Sequence, residues 1–206
     1  MLGVGIILRD IVVLKDYYSD QLERLDLTKS GINLIMSDVP EILEKESSRD
    51  QAVILKMTEM TPEKLATMIK LGKEANRYKV PLLLEPIAVG ESIEQFHSFQ
   101  ELIKYLSFDV IIADFTTILA LSGRKSMGDG LEIIRENEQL LAEIANVYQS
   151  VIVVKAETVF ISAGASLIEN DAVQAKGFNL ALMTAKYLAD GEQEVSAIQH
   201  ALSFIE

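Results

Sequence analysis

Short apolar runs that alternate with longer amphipathic stretches constrain the fold of this sequence more than any other feature. Five continuous runs of Val, Ile and Leu predict strands buried on both faces. They are residues 52–56, 80–85, 109–113, 151–155 and 158–162. Two weaker strand candidates are residues 4–8 and 33–36. Apolar residues at helical spacing predict helices between the runs. They cover about residues 62–78, 93–106, 131–148, 172–188 and 196–204.

Alternating strands and helices predict an α/β domain with a mostly parallel central sheet. The crossovers should be right-handed, and the helices should cover both faces of the sheet. The sequence contains no internal repeat, low-complexity tract or obvious linker. We therefore expect residues 1–206 to form a single domain.

The balance of charges excludes several classes of partner. The net charge of −12 repels nucleic-acid backbones and anionic membrane surfaces. The excess of acidic residues either serves solubility or attracts a cation or a basic partner. No apolar run approaches the roughly 20 residues that a membrane-spanning helix needs. The absence of cysteine excludes disulfides and thiolate metal sites, and it suits a reducing compartment, so we predict a cytoplasmic protein.

The predicted parallel sheet indicates where a ligand would bind. In such sheets, ligands bind outside the carboxyl ends of the strands. The segments at these ends are residues 56–59, 85–92, 114–117 and 155–158.

Two of these segments contain a carboxylate at the end of a strand. Glu85 is followed by a turn of small residues up to Gly90, which could hold Mg²⁺ near phosphates or could simply lead into the next helix. Asp114 opens a helix that contains Thr117. An aspartate there is an ordinary N-cap, although a helix N-terminus can also receive a phosphate.

Two further segments carry weaker signals. Lys155 and Glu157 would share a face if the strand continued, and could hold an anion beside a metal or pair with each other. Gly177 precedes an apolar helix, where it could let the backbone approach an anion or could mark an ordinary helix start. No phosphate-binding glycine motif or catalytic triad is present. The residues alone therefore predict a ligand-binding sheet and no particular reaction.

One long segment resembles the hydroxyethylthiazole kinase family. Residues 51–90 read QAVILKMTEMTPEKLATMIKLGKEANRYKVPLLLEPIAVG, which is similar to that family's strand, its A-G-K-x-A-N helix and its L-D-P-V-G-A-G strand end. Residues 31–41, 110–123, 151–164 and 177–204 resemble the motifs G-A-S-P-I-M, R-G-N-x-x-E, V-T-G-E and G-T-G-C in turn. The similarity extends over about residues 10–204.

This resemblance implies a ribokinase-like three-layer fold and a homotrimer. It also implies Mg-ATP as the cofactor and phosphorylation of the hydroxyethyl group of a thiazole, a reaction of thiamine metabolism. Matching positions imply that Glu85 binds the metal, and that Met36 and Gly90 contact the substrate. The positions implied for nucleotide binding are Asp114, Thr117, Lys155, Glu157 and Gly177. Relative to the family, the domain is expected to be shortened after about residue 204.

Several positions depart from the family motifs. The resemblance places Ile112, Thr117, Ala156, Phe178 and Leu180 where the family has Arg, Glu, Gly, Thr and Cys. Isoleucine cannot form the bidentate phosphate contact of an arginine, and leucine cannot act as a general base. We therefore predict that no catalytic residue is kept and that kinase activity is weak or altered. The alternative is a non-catalytic relative that binds a small molecule or serves as an oligomeric scaffold.

Overall fold

An eight-stranded sheet forms the centre of the protein. The computed structural model describes residues 9–13, 32–36, 51–87, 89–90, 92–123, 138–156, 158–170 and 178–205. The strands are β1 Arg9–Val13, β2 Ile32–Met36, β3 Gln51–Met57, β4 Leu82–Pro86, β5 Val110–Asp114, β6 Val151–Lys155, β7 Val159–Ala163 and β8 Ser166–Asn170. Their order is β2-β1-β3-β4-β5-β6-β7-β8. Strands β1 to β6 are parallel, and β7 and β8 are antiparallel to their neighbours.

Helices cover both faces of this sheet. They are α1 Pro62–Tyr78, α2 Ile93–Tyr105, α3 Phe115–Leu121, α4 Glu138–Tyr148, α5 Phe178–Ala189 and α6 Glu194–Ile205. Helices α1 to α4 pack on one face, and α5 and α6 pack on the other. The predicted three-layer α/β architecture is therefore confirmed. Among these described helices, none is both long enough and apolar enough to cross a bilayer.

The strands are apolar throughout because each face of the sheet has its own core. In β3, Val53 and Leu55 pack under α1 to α4, whereas Ala52 and Ile54 pack under α5 and α6. Successive side chains of a strand point to opposite faces, so both sets must be apolar.

The strand predictions are confirmed where the structure describes them. Each of the five strong candidates overlaps a strand, with bounds shifted by at most two residues, and residues 33–36 lie within β2, whereas residues 4–8 lie outside the described residues. Strands β1 and β8 were not predicted. Strand β8, at the sheet edge, has no fully buried side chain, so it lacks the continuous apolar run that marks a central strand.

The helix predictions are confirmed with shifted bounds. Residues 131–137 and 172–177, the first parts of two predicted helices, lie outside the described residues. The N-terminus of α1 follows its sequence signal, because the Thr61 hydroxyl accepts a hydrogen bond from the Lys64 N–H at 3.3 Å and Pro62 occupies the first turn.

Candidate functional site

Three charged side chains meet at the carboxyl edge of the sheet. Lys56, Glu85 and Lys155 lie at the ends of β3, β4 and β6. Lys155 Nζ donates to Glu85 Oε1 at 3.0 Å, and Lys56 Nζ lies 3.8 Å from Glu85 Oε2. Each of the three comes two positions after a residue that packs under α5 and α6, namely Ile54, Leu83 and Val153, so all three share that face of the sheet. We call these three residues the lysine–glutamate cluster.

Burial gives this cluster its electrostatic character. The Glu85 side chain is 1% exposed, Lys56 is 9% exposed, and Lys155 keeps 23% of its side chain accessible. Burial lowers the pKa of Lys56, because the lost hydration of its ammonium outweighs the attraction of Glu85, and the Lys155 ammonium lowers it further. With two ammonium groups and one carboxylate, the cluster carries a formal charge of +1.

Asp114 acts as the N-cap of α3. Its Oδ1 accepts hydrogen bonds from the Thr117 N–H at 2.7 Å and from the Thr116 hydroxyl at 2.8 Å. Thr117 is fully buried, and its hydroxyl has no hydrogen-bond partner among the described residues. Helix capping alone thus accounts for the geometry of Asp114. Its role in nucleotide binding stays a prediction.

Gly90 lies where the turn after β4 approaches α3 closely. A Cβ atom at this position would lie 3.1 Å from Ala120 Cβ and 3.2 Å from the Thr116 carbonyl oxygen. This contact explains the need for a glycine without a ligand. The proposed contact of Gly90 with a substrate is not tested by this geometry.

The remaining predicted site residues are less well defined. Met36 ends β2, which is separated from β3 by β1, so its backbone is at the same edge but two strands away. Glu157 and Gly177 lie outside the described residues. Lys155, whose predicted partner was either an anion or Glu157, here pairs with Glu85.

Two of the departures from the family motifs are core residues. Ile112 and Leu180 are both completely buried in the core beneath α5 and α6. Neither side chain can donate, accept or transfer a proton. Ala156 follows β6 and is exposed, and Phe178 is the first residue of α5.

The lysine–glutamate cluster does not fit a metal ion bound to Glu85. A Mg²⁺ ion binds carboxylate oxygens at about 2.1 Å, which would bring it close to both ammonium groups. At about 4 Å, a divalent and a monovalent cation repel by roughly 8 kcal/mol at the effective dielectric of a protein site. Among the described residues, no group of three or more His, Cys, Asp or Glu side chains could hold a metal.

A large cleft lies at the opposite, amino edge of the sheet. Its volume is about 810 Å³, and its lining includes Asn76, Asp109, Gln149, Gly164 and Glu194. Asp109 Oδ2 accepts a hydrogen bond from the Leu82 N–H at 2.7 Å. Burial raises the pKa of Asp109, and Glu194 raises it further. We place the candidate site at the carboxyl edge instead, because charged side chains of separate strands converge there, whereas Asp109 satisfies a backbone N–H.

Known structures share this fold. The hydroxyethylthiazole kinase of Pyrococcus horikoshii OT3 superposes with a TM-score of 0.75 at 18% identity, covering 94% of this chain and 76% of that one. The pyridoxal kinase of Bacillus subtilis, solved as an ADP complex, gives a TM-score of 0.62 at 12% identity, covering 97% of this chain and 90% of that one. The fold is therefore that of the ribokinase-like small-molecule kinases.

Sequence comparison identifies the family within this class of kinases. The model of the hydroxyethylthiazole kinase family matches residues 30–196. The chain belongs to the hydroxyethylthiazole kinase family. The hydroxyethylthiazole kinase of Thermoanaerobacter sp. (strain X514) is 28% identical over 133 residues, covering 63% of this chain and 51% of the relative. That of Histophilus somni (strain 129Pt) is 25% identical over 177 residues, covering 80% and 65%. The chain thus spans about half to two thirds of the length of these curated relatives.

Lys56 is the site residue that the sequence did not single out. Residues 56–59 were predicted to lie at the ligand-binding edge, but no role was assigned to this lysine. A lysine at the end of an apolar strand, in register with Glu85 on the neighbouring strand, is the signal that could have found it.

Proposed function

We propose that this chain binds a phosphorylated small molecule at the carboxyl edge of its sheet and transfers phosphate weakly or to an altered acceptor. The family and the names of its relatives suggest the hydroxyethyl group of a thiazole as the acceptor, Mg-ATP as the donor and thiamine metabolism as the context. The proposal includes a cytoplasmic location and a homotrimer, as the resemblance implies.

The lysine–glutamate cluster is the observation that supports phosphate binding. Lysine ammonium groups bind phosphate in many kinases, where they act as point charges and donate hydrogen bonds to the phosphate oxygens. Lys155 is both paired and partly accessible, so its ammonium can contact Glu85 and a ligand together. Lys155 therefore contributes a positive charge at the edge where ribokinase-like and other open α/β sheets bind ligands.

The core residues support weak or altered transfer. Phosphoryl transfer depends mainly on positioning and on charge stabilisation. Ile112 and Leu180 can supply neither. Losing one preorganised stabilising group costs roughly 10²-fold in rate or more, so losing two leaves little of an ordinary kinase rate.

The other predicted contacts remain part of the proposal by resemblance. We propose that Asp114, Lys155, Glu157 and Gly177 surround the nucleotide, and that Met36 and Gly90 face the second substrate. Thr117 is buried beneath this surface, so we expect it to support the start of α3. The metal role of Glu85 stays a prediction from the resemblance, and the two ammonium groups weigh against it.

Thermal shift and phosphotransfer measurements test this function. A ligand at 100 times its Kd should raise the free energy of unfolding by about 2.7 kcal/mol. We expect a shift with ATP, and turnover of hydroxyethylthiazole at least roughly 10²-fold below the 1–100 s⁻¹ of typical kinases. Lys155→Ala should reduce the shift with ATP, because it removes the partly accessible ammonium. Lys104→Ala is the matched control, since it also removes one lysine charge and Lys104 lies at the far end of α2.

The outcomes separate the two readings of the family relationship. Turnover at ordinary kinase rates would contradict weak or altered activity. Absence of any shift with ATP and with hydroxyethylthiazole would favour the alternative, a scaffold that has kept only the fold.

A further inference from the structure

We propose that Lys56 and Lys155, held in place by Glu85, take the place of a divalent metal and bind the phosphate of the ligand directly. In this arrangement Glu85 is a positioning residue and not a metal ligand. The proposal rests on phosphate binding at the carboxyl edge and adds that this binding does not depend on a metal.

The positions of the two lysines carry the proposal. They come from β3 and β6, which flank β4 and β5, and both ammonium groups approach the same carboxylate. An ammonium has three donors, and Lys155 spends one of them on Glu85 Oε1. The geometry therefore directs two positive charges to one point at the edge of the sheet.

Glu85 explains why the lysines stay together. Two buried ammonium groups repel each other and lose hydration, whereas a carboxylate between them offsets both costs. Glu85 Oε2 lies 3.8 Å from Lys56 Nζ, beyond hydrogen-bond distance, and has no hydrogen-bond partner among the described residues. The carboxylate thus lies between the two ammonium groups, and Lys155 keeps two N–H donors beyond the one that Glu85 accepts.

The partly accessible ammonium of Lys155 identifies the chemical class of the ligand. It favours a phosphate or diphosphate group, which carries several acceptor oxygens and more than one negative charge. Helix α5 packs on the same face of the sheet. Helix α6 starts beside the amino-edge cleft, and a short connection joins it to the end of α5. Helix α5 therefore ends near the amino edge and begins at the carboxyl edge. The positive end of the α5 dipole favours the same anion.

Titration of inorganic pyrophosphate into the full chain tests whether phosphate binding is independent of a metal ion. Calorimetry is carried out once in EDTA and once in excess MgCl₂. We expect binding in EDTA, with an affinity that Mg²⁺ does not increase. Lys155→Gln should weaken binding by at least about tenfold, as expected for the loss of a charged hydrogen-bond donor.

Matched variants separate binding from folding. Lys155→Arg keeps the positive charge and should retain most of the affinity, whereas Lys104→Gln makes the same charge change on α2 and should leave the affinity unaltered. Circular dichroism and Tm establish that each variant is folded. If Lys155→Gln does not fold, Lys155→Arg and Glu85→Gln carry the test.

Glu85→Gln distinguishes a positioning residue from a metal ligand. Glutamine keeps an acceptor for Lys155 but removes the negative charge. We expect pyrophosphate affinity to fall to the same extent in EDTA and in MgCl₂, because the two ammonium groups lose the carboxylate that holds them together. A metal ligand would behave differently, since its removal would abolish a Mg²⁺-dependent gain in affinity.

Two results would overturn the inference, and they differ in their consequence. Binding of pyrophosphate only in MgCl₂, lost in Glu85→Gln, would restore the metal reading and leave the proposed function intact. Absence of binding under both conditions would overturn the inference together with the proposed phosphate binding.

Discussion

At the scale of single residues, two carboxylates of the described part of the chain are buried to different degrees and are offset in different ways. Glu85 is buried between two ammonium groups at the carboxyl edge. Asp109 is mostly buried at the amino edge, where its main offset is the Leu82 N–H. A hydrogen bond alone compensates a buried charge less fully than an ion pair does, so these two carboxylates should respond differently to substitution.

Asp109→Asn should stabilise the protein at neutral pH. Because the pKa of Asp109 is raised by burial, its stabilising contribution is present below its unfolded pKa of about 4 and is lost as pH rises through the folded pKa. Asparagine keeps an acceptor for the Leu82 N–H without the charge. We expect Tm at pH 7 to rise by roughly 2 °C, with the gain vanishing near pH 4.

Asp109→Ala is the control for this prediction. It removes the acceptor as well as the charge, so it should cost about 1–3 kcal/mol at both pH values. A Tm of Asp109→Asn that lies further below the wild type at pH 7 than at pH 4 would show that the hydrogen bond to the ionised carboxylate outweighs the cost of its burial.

At the scale of elements, the ends of the helices shape both edges of the sheet. Asp114 begins α3 at the carboxyl edge, whereas α1 ends at Lys79, beside the amino-edge cleft. Lys79 has a left-handed backbone with φ 57°, and its N–H donates to the Ala75 and Asn76 carbonyl oxygens. This cap ends the helix but places a residue with a Cβ where glycine is preferred.

Lys79→Gly should be more stable than Lys79→Ala. Both variants remove the exposed side chain, and only glycine relieves the left-handed strain, which costs about 1 kcal/mol or more for other residues. We expect the glycine variant to be more stable than the alanine variant by roughly 1 kcal/mol in chemical denaturation. Equal stability of the two variants would mean that the cap is not strained in solution.

At the scale of the whole molecule, the two cores fix a three-layer body whose two edges differ in chemistry. Charged residues of several strands converge at the carboxyl edge, while helix ends surround the cleft at the amino edge. Some large apolar side chains lie outside both cores, among them Ile93 at 70% and Val147 at 73% exposure. Such surfaces are available for contacts between subunits.

We expect the purified chain to be a trimer. The family resemblance implies this assembly, and burying exposed apolar side chains between subunits would stabilise it. Light scattering after size-exclusion chromatography should give three times the chain mass of 22.8 kDa. A mass of one chain at all micromolar concentrations would contradict the prediction.

The sequence by itself determined the α/β class and the central strands, and it predicted the edge at which a ligand would bind. Continuous apolar runs and helical spacing report local burial, and this information is contained in neighbouring residues. Strands β1 and β8 were missed because a short strand with polar residues lacks that local pattern. The motifs at residues 51–90 also indicated the family, which the comparisons confirm.

Only the tertiary structure decided how the charged residues at the carboxyl edge are paired. Lys155 lies 70 residues from Glu85 in the chain, and the two meet because the strand order leaves one strand between β4 and β6. The burial of Thr117 and the close approach of Gly90 to α3 have the same origin. Periodicity records which face of an element is buried, but it does not record which distant side chain lies opposite, because that depends on the order of strands in the sheet.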